Sequence, residues 1–288
     1  MHFKPARSWL AARNSILLLC LAAGAQAAGS VPAHRKPLDI QVQAGAFGFA
    51  GVADITAVLQ SAGGELWRYC PDLHLDGIDV FRRRDHPQTA LKRTPRGRIA
   101  VGLSAHDTYW AQYSFQFAHE FCHVLANYGE NQQTVRPPPQ ANFWLEESLC
   151  ETASLFTLAA MERSWRTDPP YPVWQSYAPW FRAYVDKRIA AAGFHLPPGL
   201  PFPVWFRANE PALRRNPAMW GGDTIVALQL LPLFQADPRG WEAVAYLNRG
   251  SPRDNQSLVD HLRQWRSQAP AELRPFIARL AAVFAVRL

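Results

Sequence analysis

Long apolar runs, cysteine and charge are all in short supply in this 288-residue chain, and each shortage excludes something. The apolar stretch Ile16 to Ala23 is too short to span a bilayer as a helix, and no other segment approaches the length of a transmembrane span. The chain has 4 cysteines; once Cys20 is set aside with the N-terminal segment discussed below, Cys70, Cys122 and Cys150 remain. An odd count is not the framework of a disulfide-held fold. Charged residues make up 18% against 48% hydrophobic, a balance that excludes intrinsic disorder and allows a sizeable core. Acids are the scarcer sign, 23 against 30 Lys and Arg, for a formal charge of +7. That excess invites a polyanionic partner, but three of the basic residues lie in a segment expected to be removed.

That segment is residues 1–27. Lys4, Arg7 and Arg13 form a positive leader, the apolar stretch follows, and Ala25-Gln26-Ala27 makes an A-x-A cleavage site, the order of a secretory signal. The expectation is an exported protein, periplasmic or secreted, whose formal charge is +4 after loss of three Lys or Arg and no acid. The remaining chain divides by pattern at residue 106. Residues 28–106 carry strand-like runs at Leu38 to Val42, Gly77 to Arg82 and Arg98 to Leu103, with helical spacing over Val52 to Tyr69 weakened by Gly63-Gly64. Arg82, Arg83, Arg84, Lys92, Arg93, Arg96 and Arg98 form a basic connection read as a solvated hairpin loop. No aromatics interleave with these charges as base stacking would require, so nucleic acid is not an expected partner.

Residues 107–288 read as mainly helical. Asp107 is placed to cap a helix over Thr108 to Tyr128, closed by Gly129, and Asn142 to cap a second over Phe143 to about Ser164. Further runs are expected near Val173–Ala191, Asp223–Phe234 and Pro270–Val286, with a proline-rich loop at 197–203. The fold class is α+β, a small N-terminal sheet followed by a mainly helical C-terminal half.

The first of these helices contains His119-Glu120-Phe121-Cys122-His123. Residues four apart share a helix face, so the two imidazoles can meet one Zn²⁺. Glu120 is turned about 100° away, where it serves as base for water and not as a ligand. A third ligand must come from elsewhere. HExxHxxGxxH is excluded, because Ala126 and Gly129 stand where Gly and His are needed. The next helix carries Glu146, Glu147 and Glu151, the last two a turn apart on one face.

HEFCH followed by WLEESLCE resembles the gluzincin class of zinc metallopeptidases, the thermolysin- and aminopeptidase-like superfamily in which a downstream helix completes the site. The resemblance spans residues 98 to 160 and implies a zincin-like α+β fold with a mixed sheet beside the active-site helix. It implies one zinc per chain held by His119, His123 and Glu147, with Glu151 orienting a histidine from behind and Glu120 as general base. It also implies that the strand Arg98–Leu103 pairs with an extended peptide or protein substrate. Cys122 and Cys150 each follow a proposed ligand by three residues, and a disulfide between them could join the two helices. The function so implied is peptide hydrolysis. The alternative is an exported zinc-binding protein that holds peptide or cell-wall material without turnover.

Overall fold

The computed structural model describes residues 37–90, 93–127, 141–190, 195–217, 221–250 and 255–288. The signal-like segment, Gly129 and most of the loop before Asn142 lie outside them. β1 (Ile40–Val42), α1 (Val52–Trp67), β2 (Ile78–Arg82), β3 (Gln88–Thr89) and β4 (Ile99–Leu103) come first. The helices α2 (Trp110–Ala126), α3 (Phe143–Ser164), α4 (Ala178–Ile189), α5 (Phe202–Arg215), α6 (Gly222–Ala236), α7 (Gly240–Val244), α8 (Leu258–Gln268) and α9 (Arg274–Val283) follow. The fold is α+β, with a small mixed sheet and a largely helical remainder. None of the described helices is long and apolar enough to cross a membrane.

The sheet order is β1-β2-β4-β3, with β1, β2 and β4 parallel and β3 antiparallel to β4. β4 is buried along its whole length, as its unbroken apolar run demands of a strand covered on both faces. The basic connection does contain a hairpin, but β2 is not its first arm. β2 and β4 run parallel, and the connection carries the chain back along β4 as the short strand β3, which pairs antiparallel with β4. Four of the connection's charges are paired locally: Arg98 Nε lies 2.6 Å from Asp79, Arg96 2.9 Å from Asp79, Arg93 2.7 Å from Asp76 and Arg83 2.6 Å from Asp85. Burial acts to raise the Asp79 carboxyl, but hydrogen bonds from Arg98, Thr94 and Arg96 outweigh it and hold it below its ordinary value.

Residues on both sides of position 106 enter one core. α1 runs unbroken through Gly63-Gly64, because a Cβ at Gly63 would collide with Leu38 and Phe117. Glycine is there for close approach of α1 to β1 and α2, at the cost of some helix propensity. The far end of α3 is tied to α1: Ser164 Oγ donates to Glu65 at 2.9 Å and Trp165 Nε1 to Ser61 Oγ at 2.7 Å. α3 is buried nearly all round, so it shows no amphipathic stripe and its hydroxyls bond inward. Ser148 and Thr152 bond to carbonyls one turn back, and Ser154 reaches across to the Phe115 carbonyl at 2.8 Å.

Several local readings change. α2 starts at Trp110, not Thr108, and Asp107 does not cap it. Asp107 sits at φ 51° and its carboxylate accepts from Phe49 N at 3.2 Å and pairs with His106. Asn142 does occupy the position before α3, but its amide donates to the Gln256 carbonyl and does not cap the helix. The proline-rich loop ends at Pro201, and α5 takes Pro203 into its first turn, where the missing N–H costs nothing. α8 was also missed, although Ser257 accepts from Asp260 N at 3.1 Å, and a serine three residues before an acid is a readable helix start.

Candidate metal centre

α2 and α3 lie side by side and run in opposite directions. Their paired residues show it: Phe115 with Ser154, His119 with Glu147, His123 with Glu146. The Nε2 atoms of His119 and His123 both face one carboxylate oxygen, Glu147 Oε2, at 3.3 and 3.6 Å. Donors around a tetrahedral zinc with bonds of about 2.0–2.1 Å are about 3.4 Å apart, so each of these separations is the length of a tetrahedral edge. The donor set suits zinc, with two imidazoles and one carboxylate. All three side chains are mostly buried.

Burial alone would lower both imidazoles, but Glu147, with Glu120 beside His119 and Glu146 beside His123, raises them above the ordinary histidine value. Burial would raise Glu147, yet His123 and His119 hold its carboxyl well below the carboxylate range.

A second donor on α3 comes close. Cys150 Sγ and one nitrogen from each histidine lie within 4.8 Å of one another. Glu147 is the better third ligand on two grounds. Both Nε2 atoms address its single oxygen, and Cys150 is fully enclosed, its thiol pushed well up by burial and by a hydrogen bond with Cys122. A neutral buried thiol is a poor ligand. The Cys122–Cys150 disulfide is not formed; the two residues are neighbours, as their positions after the ligands suggested, but both are buried free thiols.

Glu151 also departs from expectation. Arg188 donates to both of its oxygens, at 2.8 and 3.2 Å, and Thr224 Oγ1 lies 3.3 Å from one. Because the helices are antiparallel, each turn forward on α3 is a turn back on α2, and Glu151 sits beyond His119 and away from His123. The carboxylate that orients a histidine is Glu146. His123 Nδ1 donates to Glu146 Oε1 at 2.6 Å, Asn127 Nδ2 donates to the same oxygen at 3.1 Å, and Asn248 Nδ2 donates to Oε2 at 2.7 Å. This sets a carboxylate against Nδ1 and directs Nε2 toward Glu147. Asn127 and Asn248 carry no short-range signal; Asn248 stands far from Glu146 in the chain and arrives through tertiary packing. Glu146→Gln is expected to weaken zinc binding by about 10- to 100-fold, measured by competition with a chromophoric chelator; unchanged affinity would refute the orienting role.

The Thr89 hydroxyl lies 2.9 Å from Glu120 Oε2 and 3.0 Å from the Glu120 backbone carbonyl. That contact brings β3 to the site and corrects the expectation for Arg98–Leu103. β4 is flanked on both edges, by β2 and β3, so its backbone has no free edge to offer a substrate. β3 is the edge strand on this side of the sheet. Ala90 N donates to the Ala100 carbonyl at 2.8 Å, and Thr89 is the next pair along, opposite Val101. The antiparallel ladder alternates, so the N–H and C=O of Thr89 face outward. The Tyr177 hydroxyl accepts from Ala111 N at 3.1 Å, and the Tyr184 ring packs on Phe115. Comparison with protein-family models, with curated proteins and with solved structures finds no match, and the reading of the centre rests on its own residues and distances.

Proposed function

We propose that this chain is an exported zinc-dependent peptide hydrolase of the gluzincin kind, with a zincin-like arrangement of edge strand and paired helices. The observation that carries the reading is the convergence of His119 Nε2 and His123 Nε2 on one oxygen of Glu147, with Glu120 one residue along on the same helix. The signal-like order of residues 1–27 supports export.

Zinc bound by His119, His123 and Glu147 supplies Lewis acidity toward a substrate carbonyl and water. The protein's own groups do the rest. Glu120 accepts the proton of the attacking water and passes it to the leaving amine. Glu146 keeps His123 in the ligating tautomer. The outward-facing N–H and C=O of Thr89 offer an extended peptide one antiparallel pairing position, which would lay its backbone beside Glu120.

The second reading is zinc-dependent binding of peptide or wall material without turnover, and the near-complete enclosure of Glu120, 3% exposed, favours it. One experiment separates the two: zinc content of the purified protein, together with cleavage of a peptide library before chelation, after chelation and after zinc is restored. Hydrolysis lost with chelator and regained with zinc supports the first. Zinc at about one per chain with no cleavage products leaves the second, and a protein that binds no zinc overturns both.

A further inference from the structure

We infer that Thr89, on the edge strand β3, is the positioning residue that holds the Glu120 carboxyl group in its working orientation; the inference rests on the hydrolase reading above. Among the described residues, Thr89 provides the one side-chain hydrogen bond to the Glu120 carboxylate, and it comes from a different element. The hydroxyl stands 2.9 Å from Glu120 Oε2 and 3.0 Å from the Glu120 carbonyl oxygen. It has one proton and two lone pairs, so it donates to one of those oxygens at a time.

That arrangement matches the two states of a general base. While Glu120 is a carboxylate, the charge-assisted bond to Oε2 is the stronger choice. When Glu120 takes a proton from water it does so on Oε1, and Oε2, then the carbonyl oxygen of the acid, still accepts from the Thr89 hydroxyl. The carboxyl group keeps its partner on both sides of the transfer and need not leave its rotamer. When the proton passes from Oε1 to the leaving amine, the bond at Oε2 is unchanged. No atom is gained or lost by Thr89. A flexible glutamate with a donor fixed at one oxygen is held in place through a catalytic cycle, which is preorganisation of the kind that raises kcat.

The same residue presents its main chain outward for substrate pairing, so one position of β3 ties substrate register to base orientation. The side chain acts on Glu120, and the backbone acts on the peptide. The two roles separate by mutation, because a side-chain change leaves the backbone groups in place.

The test compares wild type with Thr89→Val, Thr89→Ser, Thr89→Ala and Glu120→Gln in the full chain, on a peptide whose cleavage is lost with chelator and restored by zinc. Valine keeps the β-branched shape that suits a strand and removes the hydroxyl. The expected result is a fall in kcat of about 10- to 100-fold, part of what a general base contributes. KM is expected within about twofold of wild type and zinc content unchanged, and Thr89→Ser should recover most of kcat. Equal kcat for the valine variant and wild type overturns the inference, as does a change confined to KM or to bound zinc. If Thr89→Val fails to fold, Thr89→Ser against Thr89→Ala carries the comparison, and equal kcat for that pair overturns it. If wild type shows no chelator-sensitive cleavage, or Glu120→Gln retains it, the hydrolase reading itself falls and the role of Thr89 with it, a result distinct from a silent Thr89→Val.

Discussion

Glu120→Gln is expected to lower kcat/KM on a zinc-responsive peptide by about 10²- to 10⁴-fold and to leave bound zinc undiminished. Glutamine has the shape of glutamate and still offers the Thr89 hydroxyl an oxygen to bond, so the pocket and the edge strand are kept. What is lost is the basic oxygen that takes the proton from water. Glu120 is rotated about 100° from His119 along α2, and its carboxylate faces Thr89, so it contributes nothing to the ligand set. Zinc content by atomic emission and kinetics on the same preparation check both halves. Retained cleavage refutes the general-base role, and lost zinc shows that Glu120 supports the metal site in some other way.

His123→Ala carries the other large effect. It removes a proposed ligand and also strips Glu146, a buried carboxylate, of its imidazole partner. Zinc affinity should fall by more than the 10- to 100-fold that loss of an orienting group costs, and the purified variant should hold no stoichiometric zinc. Undiminished stoichiometry would overturn the proposed centre.

The pH dependence of wild-type binding follows from the same groups. In the metal-free protein both histidines are raised above their ordinary value of 6.5, against the lowering effect of burial, so protons compete with zinc from above that pH downward. Zinc must displace two of them, and affinity should drop by up to about 100-fold per pH unit in that range. For folding of the metal-free protein the sign is opposite. The raised histidines contribute stability that is fully present below pH 6.5 and lost as pH rises through their folded values, and the lowered Glu147 contributes stability present above 4.5 and lost as pH falls below it. Metal-free protein is therefore most stable, with respect to this cluster, between those limits, and zinc moves the optimum upward.

How far the site can be read from the chain depends on which physical rule places each residue. The spacing of His119 and His123 is a property of one helix, as is the spacing of Glu147 and Glu151, and the limits of α3 agree with the apolar pattern. The start of α2 was misread because Asp107 was credited with a cap, when its carboxylate closes a contact with Phe49 from another loop. The glycine pair in α1 was read as weakness because its reason, the approach of Leu38 and Phe117, lies outside the helix. β3 has only two residues, too few to show an alternating pattern, and its existence depends on β4 being there to pair with it.

The sequence by itself determined the chemistry available: an HExxH on a long helix, a cluster of glutamates on the next, three leftover cysteines and an α+β plan. Helical periodicity is local, and residues four apart share a face whatever the helix packs against. Only the tertiary structure decided which of the glutamates does what. The antiparallel register of α2 and α3 turns Glu147 toward both Nε2 atoms, puts Glu146 behind His123 and carries Glu151 off to Arg188. The strand order gives the free edge to β3 and denies it to β4. Each of these choices depends on contacts between residues distant in the chain, made only when the core around α2 and α3 closes.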